Sequence, residues 1–370
     1  MSARFLTVVL ERAFNMRDGF GREIDYMRIS VIDSCNLNCY YCNPCDNNEH
    51  CHALNILSVK EVLCIVRAAT RLGIKHFRLT GGEPLLHPQL DEMVLQIKKI
   101  SGVSSVSLTT NAVLLVQHAK WLKEAGIDSI NVSLDTIDAS EYERITKKPL
   151  LEEVKHGINA AIECGIRVKI NVVLTPQTDV VALTRYVAKK GTDIRFIEMM
   201  PVGEGHTNGV EPYKKVIGTL SKLYGEPCRI NTEKTKEINS GNDKRKIPDN
   251  GPAEYYIFPE LGIRVGLIQA IHGKFCDTCN RIRVTADGRL MPCLGSSVTM
   301  DLVPDSWDFA DDAEKDFSIV RALRAAIKAK PRCHNFNDNA VTYTKTTETK
   351  TTEIEAAEVN AARNMSRIGG

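Results

Sequence analysis

Between residues 25 and 200 the chain alternates short apolar runs with longer amphipathic stretches. The runs YMRISVI, KHFRLT, VSLTT, SINVSLD, RVKINVVL and IRFIEMM are strand-like. The stretches between them have helical character. One example, Ser58 to Leu72, opens with a Ser58/Glu61 capping-box pattern and closes at Gly73. Strand and helix in alternation predict an α/β fold, a parallel sheet with right-handed crossovers. Six such units predict a partial (β/α)6 TIM-type barrel rather than an open doubly wound sheet. Barrel chemistry lies at the C-terminal strand ends. The polar segments falling there are the loop beginning at Cys35, TGGEP, TTN, SLDT and EMMP.

After Pro201 the rhythm changes. GEGHTNG leads into a helix-like stretch near 213–224 and then a polar loop over 231–252. EYYIF, IRVGLI and RIRVTADGRLMPCL are strand-like, and Asp287-Gly288 predicts a hairpin that folds Cys293 back toward Cys279. The expected organisation is an N-terminal extension (1–24), a barrel (25–200), a smaller α+β domain (201–336) and a tail (337–370) whose TYTKTTETKTTEIE stretch is poor in core formers.

Composition narrows the function classes. The 370 residues are 43% apolar and 25% charged, ordinary globular usage, and the net charge is +2. That charge offers no bulk attraction to nucleic acid or to a membrane surface, so an anion site must be built locally. No run of 18 apolar residues occurs, and Glu11 and Arg12 break the N-terminal apolar stretch. A soluble, cytoplasmic protein is the expectation.

The twelve cysteines are uneven. Cys35, Cys39, Cys42, Cys45 and Cys51 lie close together, as do Cys276, Cys279 and Cys293. Cys64, Cys164, Cys228 and Cys333 are scattered and read as small buried hydrophobes. In a reducing compartment clustered thiols point to metal rather than to disulfides. Cys35, Cys39 and Cys42 fit one helix face by spacing, but the intervening Asn, Tyr and Pro residues are poor helix formers. A loop around an inorganic centre remains, either zinc with a fourth ligand from Cys45, Cys51, His50 or His52, or a 4Fe-4S cube with one iron left open. Cys276, Cys279 and Cys293 alone fit a second incomplete cube, a zinc ribbon or a redox pair.

The Cx3Cx2C pattern with Tyr41 directly before the third cysteine, followed by GGEP after the second strand, resembles the radical S-adenosylmethionine (SAM) superfamily. CDTCNRIRVTADGRLMPC, DGFGREIDYMRIS, RFIEMMPVGEG and the terminal Gly-Gly are similar, within it, to the MoaA family, the GTP 3',8-cyclases of molybdenum cofactor biosynthesis. The similarity runs from about residue 18 to 335 and again over 364–370. It implies a first 4Fe-4S cluster on Cys35, Cys39 and Cys42, and SAM lined by Tyr41, Gly82, Ser133 and Met200. A second 4Fe-4S cluster is implied on Cys276, Cys279 and Cys293. GTP would meet Arg28, Arg78, Thr109, Lys169, Arg195, Arg281, Ile282 and Arg283. Arg28 and Arg283, with Gly369 and Gly370 of the tail entering the active site, would serve catalysis. The resemblance also implies a flavodoxin- or ferredoxin-type electron donor, cyclic pyranopterin monophosphate synthase as the next enzyme, and a homodimer as one open assembly.

The residues themselves bear on this. Arg28, Arg78, Lys169 and Arg195 sit inside strands of a sheet whose two faces should be covered, where an unpaired cation is costly. Arg281 and Arg283 are two apart and share a strand face. That arrangement beside a cluster suits phosphate or a nucleotide edge. Departures from the family are His76 where a lysine is common, the additional Cys45 and Cys51, and a longer stretch over 337–363. A peptide-modifying radical SAM maturase with an auxiliary cluster and a non-catalytic zinc protein are the other readings.

Overall fold

The computed structural model describes residues 16–42, 55–202, 209–230, 251–296, 298–302, 312–334 and 336, with only the backbone over 312–315. Cys45, Cys51, Gly369, Gly370 and the Thr-rich tail lie outside the described residues. Elements follow in the order β1 (Tyr26–Ser30), α1 (Val59–Arg71), β2 (His76–Thr80), α2 (Leu90–Lys98), β3 (Ser105–Thr110), α3 (Leu115–Glu124) and β4 (Ser129–Ser133). Two helices, α4 (Ala139–Thr146) and α5 (Leu151–Glu163), lead to β5 (Val168–Val173), then α6 (Val180–Lys189) and β6 (Asp193–Ile197). All six expected strands form, each starting within one residue of its predicted start. Ser58 caps α1 and exchanges hydrogen bonds with Glu61, satisfying first-turn donors that the helix itself cannot.

β1 to β6 are parallel neighbours in sequence order, and the sheet does not close. The chain after residue 201 extends both edges. On one side β9 (Arg264–Ile268) joins β6 in parallel, followed outward by β8 (Glu254–Ile257) and β7 (Cys228–Arg229). On the other, β10 (Arg281–Val284) joins β1 in parallel and turns through Thr285–Gly288 into β11 (Arg289–Met291), then β12 (Met300–Asp301). Gly288 adopts φ 74°, which the Asp-Gly turn requires. The short α7 (Gly218–Tyr224) falls where the helix-like stretch predicts it, and α8 (Asp312–Lys328) packs on α1, with Arg71 Nη2 2.7 Å from Asp316 Oδ2. Among the described residues no helix is long and apolar enough to cross a membrane.

The strands bury one face against the helices. Met27, Ile29, Phe77, Leu79, Leu108, Ile130 and Phe196 are fully buried there. Each such side chain contributes about 1.5–3 kcal/mol relative to exposure. The residues between them, on the opposite face, are polar: Tyr26 and Arg28, His76 and Arg78, Ser107 and Thr109, Asn131, Lys169 and Asn171, Arg195. Parallel strands covered on both faces are normally apolar throughout, so a polar inner face marks where a ligand belongs.

The scattered cysteines need correcting. Cys64 is buried as expected, but Cys164 is half-buried, and Cys228 and Cys333 are exposed. Cys228 lies on a two-residue edge strand and Cys333 on the short segment after α8, neither of which has a second layer to cover it.

Candidate active site

The chain leaving β1 runs over the end of β2 into the first cysteine loop. Gly82 N–H donates to the Ile32 carbonyl (2.8 Å) and Glu83 N–H to that of Ser34 (2.8 Å). A Cβ on Gly82 would stand 2.2 Å from the Ser34 oxygen, and one on Gly81 2.3 Å from that of Ile32. The glycines of TGGEP therefore permit close approach of backbone to backbone, seating the segment that enters Cys35. Glu83 is fully buried and accepts from Leu85 N–H (3.0 Å), Thr110 Oγ1 (2.7 Å) and Asn111 N–H (2.7 Å). Burial pushes its carboxyl up to about 7. Asn111 in turn donates to Asn36 Oδ1 (2.7 Å) and lies 3.8 Å from Cys35 Sγ. Three strand ends thus lock one thiol. Gly82→Ala is expected to lose the first cluster, with bound iron falling by about half, because the added methyl meets backbone that cannot yield without a shift costing about 1–3 kcal/mol. Iron analysis checks this, and a variant with parental iron content would show that the seating is dispensable.

Helix α4 anchors the rest of the loop, its last turn accepting Asn38 N–H at Thr146 O (3.0 Å) and Tyr40 N–H at Ile145 O (3.1 Å). Tyr41 donates its hydroxyl to Asp135 Oδ2 (2.5 Å), and Val173 N–H donates to the other oxygen (2.7 Å). Burial pushes Asp135 up to about 6. Burial likewise pushes Cys35 up to about 11 and Cys42 to about 12, and raises Cys39, with the neighbouring thiols adding to the effect. Such thiols become ligands only when a metal supplies the positive charge. Among the described residues no three His, Cys, Asp or Glu side chains converge as the ligands of a single ion do. Three thiols suit a cube, which takes one thiolate on each of three irons and leaves the fourth iron open.

The basic residues form a band on the polar face. Arg283, Arg28 and Arg78 are register neighbours across β10, β1 and β2. Arg281 precedes them by one repeat on the same face, paired with Tyr26. Burial and the adjacent Arg283 hold Arg28 well below its ordinary value, and burial together with Arg281 brings Arg283 down to about 10. Like charges gathered in a desolvated band favour an anion between them. Arg78 donates to Tyr26 Oη (2.5 Å) and reaches Thr109 Oγ1 (3.4 Å). The Nε of Arg281 is buried with no hydrogen-bond partner, its guanidinium 5.1 Å from the Phe275 ring centre. On the far side Arg195 donates to Asn131 Oδ1 (2.6 Å), crossing Gly266, where a Cβ would stand 2.7 Å from the arginine Cγ. Lys169 is buried beside Asn131 in register. Asn171 Oδ1 is buried without a partner. His76 hydrogen-bonds Ser105 Oγ (2.8 Å), and burial lowers its pKa.

The second cysteine set closes the band at β10. Cys276 and Cys279 precede the strand, and the β10–β11 hairpin returns Cys293 close enough to raise the pKa of Cys276. Burial alone would raise Cys279, yet the Arg281 and Lys330 cations outweigh it and bring the thiol down to about 7. The first set lies beside two buried carboxyls, Glu83 and Asp135, and the second among cations.

The other expected residues are distributed as follows. Ser133 is exposed at the mouth end of β4, and Met200 packs against Val202 and Met291, near the second set. The Ile282 side chain is fully buried on the helix-facing side, so only its backbone is turned toward the band. Sequence reasoning missed Tyr26, Asn131 and Asn171, all on the same alternation as the arginines. It also missed Arg22, whose guanidinium pairs with Asp18 (2.5 Å) and donates to the carbonyls of Cys276 (2.7 Å), Arg332 (2.9 Å) and Pro331 (2.6 Å). DGFGR carried that signal without revealing its target 254 residues away.

Comparison with known proteins agrees with this geometry. Residues 29–182 match the radical SAM superfamily model, and residues 192–336 match Molybdenum Cofactor Synthesis C. A GTP 3',8-cyclase of Clostridium perfringens (strain SM101 / Type A) is 35% identical over 324 residues, covering 87% of this chain and 95% of that protein. One from Peptoclostridium acidaminophilum is 37% identical over 328 residues, covering 87% and 94%. The crystal structure of Streptococcus suis SuiB bound to S-adenosylmethionine superimposes with a TM-score of 0.54 at 15% identity, over 80% of this chain and 68% of that one, which is a likeness of fold. With two cysteine sets flanking a buried arginine band in a sheet of this topology, and with relatives of this identity spanning most of its length, the chain belongs to the GTP 3',8-cyclase family of the radical SAM superfamily.

Proposed function

We propose that the protein is a GTP 3',8-cyclase that converts GTP to (8S)-3',8-cyclo-7,8-dihydroguanosine 5'-triphosphate, the first step of molybdenum cofactor biosynthesis. Cys35, Cys39 and Cys42 hold a first 4Fe-4S cluster, with Tyr41, Gly82, Ser133 and Met200 around SAM. Cys276, Cys279 and Cys293 hold a second. SAM and the clusters, when bound, would supply radical removal of the ribose H3' and closure of the C3'–C8 bond, with the external donor providing one electron to cleave SAM and one more, with a proton, to reduce the cyclised base. The chain's own residues bind, orient and shield. Arg28, Arg78, Lys169, Arg195, Arg281 and Arg283 meet the charges of the triphosphate and the nucleotide edge, Thr109 and the Ile282 backbone offer hydrogen bonds, and the helix-covered sheet excludes water from the reacting carbons. By the family resemblance the Gly369-Gly370 tail would serve the same site. In this reading residues 25–200 form the SAM-binding unit, 201–336 carry the second cluster and GTP, and 1–24 and 337–370 flank them.

The observation that carries the proposal is the Arg283–Arg28–Arg78 row lying between the two cysteine sets. A flavodoxin- or ferredoxin-type donor, a cytoplasmic setting, a homodimer, and transfer of the product to cyclic pyranopterin monophosphate synthase complete the reading. The test is anaerobic incubation of the reconstituted protein with GTP, SAM and dithionite. 5'-Deoxyadenosine and a cyclised guanine nucleotide should appear together, and SAM cleavage with no GTP-dependent product would turn the assignment toward peptide modification.

A further inference from the structure

Lys330 follows α8 and is 3% exposed, an unusual place for an ammonium group. Its Nζ donates to the carbonyl of Arg281 (2.8 Å) and to that of Pro292 (2.8 Å). The first of these lies two residues after Cys279, and the second immediately before Cys293. An ammonium has three protons to donate. Two go to these carbonyls, and the Lys330 charge, with that of Arg281, lowers the Cys279 thiol against its burial. The adjoining residues reinforce the same region. The His334 ring bonds the Ala270 carbonyl (2.8 Å). Arg22 ties the Cys276 carbonyl to those of Pro331 and Arg332.

We propose that Lys330 is a positioning residue of the second cluster, joining through one buried ammonium the two chain segments that present Cys279 and Cys293 and setting a fixed positive charge against the cluster's thiolates. This rests on the two-cluster reading above. The physical case has two parts. The two segments come from opposite arms of the β10–β11 hairpin, where the strands pair only through Arg283–Met291 and Val284–Leu290, so nothing in the ladder itself holds the arms together at the cysteines. Lys330 bonds both arms beyond the last ladder pair. A cube with three thiolates is also anionic overall, and hydrogen bonds and charges around the sulfurs set its reduction potential. Burial of an ammonium is costly in the absence of such partners, which explains why this lysine does not turn outward like the exposed Lys328 on the preceding turn.

The test isolates the second cluster in a Cys35→Ala/Cys39→Ala/Cys42→Ala background. Lys330→Met, Lys330→Gln, Lys330→Arg and the control Lys328→Met are reconstituted anaerobically. Iron, acid-labile sulfide and an EPR-monitored redox titration are then measured. Lys330→Met should lose most of the cluster or hold it at a more negative potential. Lys330→Gln, which keeps donors without charge, should keep more iron than Lys330→Met and show the negative shift. Lys330→Arg should stay near the parent, and Lys328→Met should equal it. Should Lys330→Met fail to fold by circular dichroism, the Lys330→Gln potential decides. Parental iron content and potential in Lys330→Met or Lys330→Gln would overturn the assignment. Absence of any cube in the parent background would instead defeat the two-cluster reading itself.

Discussion

Cys39→Ala should abolish reductive cleavage of SAM, by at least about 10⁴-fold or roughly 5 kcal/mol in barrier, and should halve bound iron from about eight to about four per chain. The size follows from the site. Cys39 is one of three thiols whose loop is anchored at both Thr146 and Ile145, and no described cysteine other than Cys35 and Cys42 acts on its charge. A cube held by two thiolates keeps neither its place nor the single open iron that the chemistry needs. The variant should still carry the second cluster, because that set lies on the opposite side of the arginine band and is built from different segments. Iron analysis with measurement of 5'-deoxyadenosine checks both parts. Undiminished SAM cleavage in this variant would remove Cys39 from the first cluster.

Arg283→Ala should separate the two halves of the reaction. Cyclised nucleotide is expected to fall by about 10²–10³-fold, or about 2.7–4 kcal/mol, the usual cost of deleting one preorganised charged donor from a closed site. Formation of 5'-deoxyadenosine should continue, since Arg283 stands on β10 with the second cysteine set, whose Cys279 and Cys293 act on its charge. Arg283→Lys should be intermediate, because an ammonium supplies charge without the planar fork. Stability should not fall with it. Arg283 is buried beside Arg28 and Arg281, and burial with Arg281 depresses its pKa to about 10, so cluster-free Arg283→Met should melt no lower than the parent. Equal loss of SAM cleavage and cyclisation, or a marked drop in melting temperature, would identify the arginine as structural instead.

The barrel strands were readable because each apolar run is bounded by turn residues, and α1 because Ser58, Glu61 and Gly73 mark both of its ends. The cysteine sets were readable because metal ligation constrains residue type and spacing locally. Other features were not. Gly82 reads locally as a turn or as room for a ligand, whereas its neighbour proves to be the Ile32–Ser34 backbone, a contact across two loops. Ile282 was expected at the substrate by the resemblance, and only strand alternation shows that its side chain enters the helix-facing core and its backbone alone is left toward the band. Cys228 and Cys333 were expected inside and are exposed, since burial of a lone thiol depends on which layer covers its segment.

What the amino-acid order by itself determined is whatever short-range geometry enforces: strand and helix periods, one capping box, the Asp287-Gly288 hairpin and two groups of thiols. What only the tertiary structure decided is convergence. Residues after 201 add to both edges of one sheet, so that β10 lies against β1 and Arg283 comes into register with Arg28, 255 positions earlier in the chain. Arg22 and Lys330 likewise gain their meaning from carbonyls far away in sequence. The reason is physical: a backbone carbonyl accepts a hydrogen bond whatever its side chain, so its residue type leaves no trace of the cation that will find it.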